Sequence, residues 1–146
     1  KGTNICESYY HIEKSPIDKE GWLDTGDMGS LNEDSYLYIV DRKKDMINRG
    51  GEKIWCNDVE NEITSLKGVK ESALVGIPSE KYGEVAAAVV VLEKESKLTV
   101  EDIKQKLHDR IAKYMIPEKI LFLEKIPKTP GLKTDKRAIR ALFFPE

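Results

Sequence analysis

A run of charged residues followed by two glycines divides this sequence near the end of its first third. Residues 41–45 (DRKKD) are all charged, residues 46–47 are apolar, and Gly50 and Gly51 follow before a helix-like pattern. Glycine permits a positive φ angle or the close approach of another group. The pattern indicates a junction between two compact units with a glycine turn just beyond it. The pattern alone leaves one alternative open, a solvated charge run before an ordinary hairpin turn.

The composition restricts the classes of protein to which the chain can belong. With 146 residues, 40% of them hydrophobic and 34% charged, we expect a soluble protein with one domain, or one small domain and part of another. The net charge of −2 argues against a nucleic-acid partner. The longest apolar stretch, residues 85–92, is too short to span a membrane.

The ends and the cysteines of the chain suggest its context. No secretory signal opens the sequence. Cys6 and Cys56 are too few and too far apart for a disulfide framework or a zinc site, so we expect a reducing, cytoplasmic location. The sequence starts at Lys1 in the middle of a pattern, and we therefore expect a piece of a longer protein.

The part before the junction is predicted to contain a β-hairpin. Residues 28–31 and 36–40 are rich in strand-forming side chains and flank a polar turn at residues 32–35. Asp27 falls at the start of the first strand, after a Thr-Gly step that alone favours a tight turn. Upstream, Tyr9 and Tyr10 are the candidate core residues.

The part after the glycines alternates between helical and extended patterns. Asn57, with Glu60 three residues later, predicts a capped helix that ends at Lys67-Gly68. Thr99 predicts the cap of a second helix, on which His108 faces solvent. The remaining elements are strands over residues 69–77, ending before Pro78, residues 85–92, buried on both faces, and residues 120–123, and a helix over residues 135–142.

This order of elements predicts an α+β fold, in which a sheet packs against helices. The loop over residues 125–135 is rich in Pro, Gly and Lys and is too broken for a regular element. Loops held by rigid elements often carry function, although a basic loop near a terminus is more often simply mobile.

Four motifs lie in the order and spacing found in the adenylate-forming (AMP-binding) enzymes. They are residues 21–27 (GWLDTGD), 41–47 (DRKKDMI), 50–53 (GGEK) followed by Val59-Glu60, and 127–129 (PKT) leading to Lys133. Over nearly its whole length the chain resembles this family, and residues 41–47 are typical of its acyl-CoA synthetase branch, the acid–CoA ligases. The resemblance implies that residues 1–41 are a truncated, β-rich end of the large N-terminal AMP-binding domain. Residues 42–146 would be the mobile C-terminal lid domain, with a sheet of about three strands, helices and a hairpin.

The resemblance also implies roles for five residues. Asp27 matches the aspartate that accepts hydrogen bonds from the ribose hydroxyls of ATP, and Arg42 matches the arginine that reaches the ribose and phosphate region. Lys44 matches the hinge position. Gly51 matches the glycine beside the pantetheine channel, and Lys133 matches the catalytic lysine that contacts the acyl carboxylate and the α-phosphate. None of these residues is a metal ligand.

The implied reaction has two steps and requires ATP, Mg²⁺ and CoA. A carboxylate attacks the α-phosphorus of ATP and forms an acyl-adenylate and pyrophosphate. A thiol then attacks the adenylate carbonyl after the lid domain has rotated about its hinge. The lid works against its own N-terminal domain, which also holds the acid pocket and the phosphate loop upstream, so the resemblance implies that Mg²⁺ does not bind to this piece.

One position departs from the family pattern. Glycine usually precedes the catalytic lysine, whereas here Leu132 precedes Lys133 and the glycine lies one residue earlier, at Gly131. Either the loop shifts its glycine by one, or the functional amine is Lys136. The spacing from residues 127–129 favours Lys133.

Two alternatives to an acid–CoA ligase remain open at this point. Residues 47–53 also resemble aryl-acid ligases that load carrier proteins, which differ in the thiol donor. A different class is a non-catalytic docking or regulatory module. We expect the chain to fold from about residue 42 onward. Because the upstream motifs are absent, we expect it to be inactive alone. Residues 1–41 are expected to be partly disordered or to pair with a neighbouring chain.

Overall fold

The chain forms two compact units in a computed structural model. The structure describes residues 1–6, 10–11 and 15–144. The first unit comprises residues 1–44 and the second comprises residues 45–146. Tyr9 lies outside the described residues, and the side chain of Tyr10 is 89% exposed, so Tyr10 is not the core residue that the sequence suggested.

The first unit contains the predicted hairpin. Strand β1 (Asp27–Leu31) pairs antiparallel with β2 (Leu37–Arg42), and Asp27 lies opposite Arg42. The turn between the strands is closed by the side chain of Asn32, which accepts a hydrogen bond from the Tyr36 N–H. The hairpin and the position of Asp27 at the start of β1 are therefore confirmed.

The second unit is built on a five-stranded sheet. Its strands are β3 (Ile47–Arg49), β4 (Glu52–Ile54), β5 (Val69–Ser79), β6 (Gly83–Leu92) and β7 (Lys119–Phe122). The order is β4-β3-β6-β5, with β7 parallel to β6. The α+β fold is confirmed, and the β3–β4 hairpin extends the predicted sheet of about three strands through a single pairing of Arg49 with Gly83.

Strand β5 runs through Pro78 to Ser79, so the prediction that it ends before the proline is wrong. Pro78 lies opposite Glu84 of β6. Proline lacks an N–H but is tolerated on an edge strand, and β5 is the outer strand of the sheet beyond β6.

Three helices accompany the sheet, namely α1 (Cys56–Thr64), α2 (Val100–His108) and α3 (Lys136–Ala141). Thr99 caps α2 through a capping box with Asp102, as predicted. The predicted N-cap of α1 at Asn57 is wrong, because the N-cap residue is Trp55, whose side chain makes no capping hydrogen bond. Cys56 belongs to the buried face of α1. Because Cys56 packs in the core, the helix begins there, one residue before Asn57.

Strand β6 separates two apolar layers. Ala86, Ala88 and Val90 face the cluster that contains residues of α1 and α2. Val85, Ala87, Val89 and Val91 face the cluster that contains Ile139 of α3. Burial on both faces is thereby confirmed, and the small alanine side chains leave room for the helices to pack closely. No helix in the described part of the chain is long and apolar enough to cross a membrane.

Replacement of a buried residue of α2 tests this core. Leu107 is fully buried, whereas Gln105 on the same helix is exposed. We expect Leu107→Ala to lower the free energy of unfolding by about 2–5 kcal/mol, because it removes packed methyl groups and leaves a cavity. Gln105→Ala should change it by less than about 0.5 kcal/mol. Urea titrations of the chain measure both, and equal effects would contradict the assigned core.

Candidate functional site

Asp27 and Arg42 form an ion pair across the hairpin of the first unit. Arg42 Nε lies 3.2 Å from Asp27 Oδ1, and the two side chains are 55% and 31% exposed, respectively. The pairing of β1 with β2 places the residues opposite each other. The ion pair engages Oδ1, and a carboxylate has about four acceptor sites in all, so Asp27 can still accept hydrogen bonds from a ligand.

The turn before Asp27 is fixed by local hydrogen bonds and borders a basic cavity. Asp24 Oδ1 accepts the Gly26 N–H, and Thr25 Oγ1 accepts the Asp27 N–H. A cavity of about 310 Å³ is lined by Thr25, Gly26, Arg42, Lys43 and Lys44. Three cations and a backbone turn around one cavity suit a phosphate-bearing ligand.

Lys44 is the last residue of the first unit. It lies within a short 3-10 helix, Lys43–Asp45, and its side chain is exposed. Lys43 is held to the first unit, since its N–H donates to the Gly26 carbonyl. The chain therefore passes from one unit to the other directly after Lys44.

Gly51 lies in the tight turn between β3 and β4 of the second unit. Its φ angle is +100°, and its N–H donates to Asn48 Oδ1 at 3.0 Å. The preceding Gly50 donates its N–H to the Tyr82 carbonyl, which fastens the turn to the β5–β6 connection. Apart from the adjoining residues, no atom of the described part of the chain lies within 4 Å of the position that a Cβ at Gly51 would occupy, so the backbone here faces open space.

A larger cavity lies beside this hairpin within the second unit. Its volume is about 750 Å³, and aromatic and cationic side chains share its walls. It is lined by Arg49, Tyr82, Lys104, Gln105, His108, Lys113, Tyr114, Ile116, Pro117 and Glu118. His108 is exposed, as expected, and the structure adds that it borders this cavity.

Arg49 and Tyr82 are arranged as a stacked pair at this cavity. The Arg49 guanidinium carbon lies 3.8 Å from the centre of the Tyr82 ring, and Arg49 also pairs with Glu118 at 3.2 Å. Hydrogen bonding to Lys81 and the charge of Lys81 lower the pKa of the Tyr82 phenol, and Arg49 adds to this effect. Arg49 therefore covers the Tyr82 ring and helps to fix its orientation, and Lys81 Nζ lies 4.9 Å from the same ring centre.

Lys133 lies in an ordered turn rather than in a shapeless loop. Lys128 pairs with Thr134 in a β-bridge, and the Lys133 carbonyl accepts the Thr129 N–H at 2.7 Å. The Asp135 N–H donates to the Pro127 carbonyl, which closes the base of the turn. The Lys133 side chain is exposed, so its amine is presented by a fixed backbone.

Leu132, directly before Lys133, has a φ angle of +61°. Its side chain is 82% exposed, so no apolar contact explains the leucine. Gly131 does not have a positive φ. The backbone conformation that favours glycine therefore falls at position 132, where the family usually has glycine, which supports Lys133 as the matching lysine.

Lys136 is placed differently from Lys133. Its Nζ lies 3.7 Å from Asp45 Oδ2 and 3.9 Å from Glu60 Oε1, and its side chain is 22% exposed. An ammonium group between two carboxylates is poorly available to a substrate anion. This arrangement disfavours Lys136 as the functional amine.

Lys133 and Gly51 lie at different places on the second unit. The lysine turn is anchored near the start of β5, where Lys128 pairs with Glu71. The glycine turn is anchored beyond the end of β5, at Tyr82. At about 3.3 Å per residue, the stretch of β5 from Glu71 to its end at Ser79 spans about 26 Å. The turns that carry the two residues are therefore fastened at opposite ends of β5.

The described residues contain no group of three or more His, Cys, Asp or Glu side chains that could hold a metal ion. Cys6 and Cys56 are not joined in a disulfide.

Comparison with known families identifies the chain. Residues 58–133, about half of the chain, match the model of the AMP-binding enzyme C-terminal domain. The chain belongs to this family of adenylate-forming enzymes, as its motifs indicated.

Individual relatives are CoA ligases. The long-chain-fatty-acid–CoA ligase FadD13 of Mycobacterium tuberculosis is 42% identical over 98% of this chain and 29% of its own length. The 2-succinylbenzoate–CoA ligase of Bacillus cereus is 38% identical over 97% of this chain and 30% of its own length. ATP-bound MatB from Rhodopseudomonas palustris superposes with a TM-score of 0.92 at 30% identity, over 99% of this chain and 29% of that protein. The chain thus spans about three-tenths of its relatives' length.

Sequence reasoning missed the side chains around the larger cavity. Arg49, Tyr82 and Glu118 are far apart in sequence and meet only because β3 joins the end of β6 and Glu118 donates its N–H to the Ala86 carbonyl. The position of Arg49 directly before Gly50-Gly51 was the one local signal.

The conformation of Leu132 can be tested by substitution. A left-handed conformation costs a non-glycine residue about 1–2 kcal/mol, while glycine adds less than about 1 kcal/mol of unfolded-state entropy. We therefore expect Leu132→Gly to be as stable as the parent chain or up to about 1 kcal/mol more stable, and Leu132→Val to be less stable by about 1 kcal/mol or more.

Gly131→Ala is the matched control, because Gly131 lacks a positive φ and its added Cβ would meet only Thr129 Oγ1, at 3.9 Å. It should be tolerated. Denaturant unfolding of the three variants measures these stabilities. A Leu132→Val variant as stable as Leu132→Gly would contradict the assigned backbone conformation.

Proposed function

We propose that the full-length protein, meaning this chain with the upstream region that its relatives contain, is an ATP-dependent acid–CoA ligase. The observation that carries this proposal is that the second unit, which begins after the junction at Lys44, presents Lys133 and Gly51 on two turns that are fastened at opposite ends of β5. Two separately placed turns on one unit suit a reaction with two chemical steps. Family membership and the printed names of the relatives support the same activity.

In the first step a substrate carboxylate oxygen attacks the α-phosphorus of ATP. A new P–O bond forms, and the bond to pyrophosphate breaks. Asp27 would accept hydrogen bonds from the ribose hydroxyls, and Arg42 and the cations beside it would face the phosphates. Lys133 would bring a fixed ammonium to the oxygens on which negative charge accumulates, where preorganised charge is most effective. Mg²⁺ would accompany ATP as bound substrate.

In the second step a thiol sulfur attacks the adenylate carbonyl and AMP leaves. The thiol must reach a carbonyl that is surrounded by protein, so it needs a narrow passage for its pantetheine arm. Gly51 suits the wall of such a passage, because it adds no side chain and its backbone faces open space. The turns of Lys133 and Gly51 would alternate by rotation about Lys44, since a hinge requires only a few residues that absorb a change in φ and ψ.

The cavity beside Gly51 favours CoA as the thiol donor. Arg49, Lys104 and Lys113 supply positive charge, and Tyr82 and Tyr114 supply aromatic surface. CoA carries a phosphorylated adenine nucleotide, which such walls would bind by ion pairing and stacking. A carrier protein brings its pantetheine arm without this nucleotide. The cavity thus gives no support to a carrier protein as the thiol donor, and an aryl-acid ligase that loads a carrier protein is the second candidate.

The proposal names the class of the acid substrate and the cellular compartment. The relatives act on a long-chain fatty acid and on 2-succinylbenzoate, so we propose a carboxylic acid substrate, with fatty acids as the first class to test. Two cysteines that are not joined in a disulfide suit a reducing compartment, and we propose that the enzyme acts in the cytoplasm. A purely docking or regulatory role would require the full-length protein to lack turnover.

Removal of the proposed catalytic amine tests the first step. In the full-length protein, Lys133→Ala should lower acid-dependent ATP–pyrophosphate exchange by about 10²–10³-fold or more, because the charge that stabilises the transition state is lost. Thioester formation from a preformed acyl-adenylate should persist. Lys125→Ala, which removes another exposed lysine near this loop, is the control and should leave both rates unchanged. Normal exchange by Lys133→Ala would sink the assignment.

Side chains of increasing size at Gly51 test the second step. Any residue at this position shares the same backbone strain, because φ is +100°, so Gly51→Ala serves as the matched control for Gly51→Leu. We expect Gly51→Leu to slow thioester formation by about tenfold or more relative to Gly51→Ala, with similar pyrophosphate exchange in the two variants. Equal thioester rates would show that Gly51 does not line the passage.

A further inference from the structure

A lysine outside the proposed reaction centre links three elements of the second unit. Lys136 Nζ lies 3.7 Å from Asp45 Oδ2 and 3.9 Å from Glu60 Oε1, and the three side chains are only 21–23% exposed. By contrast, the Arg110–Glu62 pair has side chains that are 44% and 39% exposed. Water therefore screens the charges of Lys136, Asp45 and Glu60 (the Lys136 cluster) less than those of the Arg110–Glu62 pair. The charges of this cluster constrain the structure more than an exposed pair does.

Asp45 is the first residue of the second unit, directly after Lys44. Its backbone carbonyl accepts a hydrogen bond from the Cys56 thiol at 2.9 Å, which fastens it to the start of α1. Its side chain is fastened to α3 through Lys136. The exit from the junction is therefore held by two different helices.

Glu60 connects the same cluster to the sheet. Its Oε1 accepts the Leu74 N–H of β5 at 2.7 Å, and its backbone carbonyl accepts the Ser72 hydroxyl. The carboxylate that faces Lys136 thus has a fixed position. Removal of the Lys136 ammonium would leave two partly buried carboxylates, each within 4 Å of the vacated nitrogen position, to repel each other.

Lys136 is also close in sequence to Lys133. Asp135 caps α3 by accepting the N–H groups of Arg137 and Ala138, and its own N–H closes the lysine turn at Pro127. Along α3, Ile139 is fully buried against the sheet. The short segment between Lys133 and Lys136 is therefore held in place by the hydrogen bonds of Asp135.

We propose that Lys136 is a positioning residue for adenylation. Its ion pairs with Asp45 and Glu60 fasten the Lys133 turn to the residue at which the second unit begins, so that rotation at Lys44 carries Lys133 as part of one rigid body. This inference rests on the proposed function. The Gly51 turn is fastened elsewhere, through Tyr82, so loss of Lys136 should affect the first chemical step and largely spare the second.

Three variants of the full-length protein test the role. Lys136→Met keeps the apolar stem and loses the charge, and Lys136→Arg keeps the charge. Arg110→Met removes the cation of the exposed Arg110–Glu62 pair, which does not hold the Lys133 turn, and is the matched control. For each variant, acid-dependent pyrophosphate exchange and thioester formation from a preformed adenylate are measured separately.

We expect Lys136→Met to lower kcat for exchange by about tenfold or more, because displacement of a reacting group by about 1 Å is costly. The KM for ATP and the thioester rate should change by less than about twofold, because Lys136 holds neither the residues proposed to bind ATP nor the Gly51 turn. Lys136→Arg should restore most of the exchange, and Arg110→Met should resemble the wild type. Equal loss of both half-reactions, or unchanged exchange, would overturn the role.

A second measurement does not depend on activity. Hydrogen exchange at the amides of residues 45–47 and 129–135 should accelerate in Lys136→Met while residues 48–54 keep their protection. Unchanged protection in both segments would refute the link to Lys133. Wild-type protein without acid-dependent exchange would overturn the proposed function and with it the catalytic role. An active wild type with a fully active Lys136→Met variant would overturn the role of Lys136 alone.

Discussion

The second unit depends on the burial of β6 on both of its faces. Alternate side chains of one strand pack against α1 and α2 on one side and against α3 on the other. The same strand carries β3 at its Gly83 end and β7 along its middle. The glycine turn and the lysine turn are therefore mounted on a common support, and a close-packed core makes that support resistant to deformation.

The sequence predicted the elements that follow from local pattern. The hairpin, the buried β6 run and the Thr99 cap each rest on neighbouring residues, and the structure contains all three. The start of α1 was missed because tertiary burial of Cys56 decides it, and the end of β5 was missed because edge position decides whether a proline fits. The cavity beside Gly51 and the Lys136 cluster join residues distant in sequence, which no single-sequence pattern reveals.

The two lysines near the C-terminus show how environment separates similar side chains. Lys133 is exposed on a turn whose backbone is fixed on both sides, whereas Lys136 lies between two carboxylates. Sequence spacing left both as candidate amines. The positive φ of Leu132 marks the position where the family pattern has glycine and so aligns the turn. One lysine is thus suited to meet a substrate anion, and the other is suited to hold the first in place.

The central claim is that this chain supplies the lid of a two-step acid–CoA ligase. The most direct measurement is product analysis of the full-length protein with ATP, CoA and a panel of fatty, short-chain and aryl acids. Acid-dependent formation of AMP together with a CoA thioester is the predicted result, and it identifies the acid class at the same time. Release of pyrophosphate with a retained adenylate and no CoA thioester would contradict the claim and point to a carrier protein as the thiol donor.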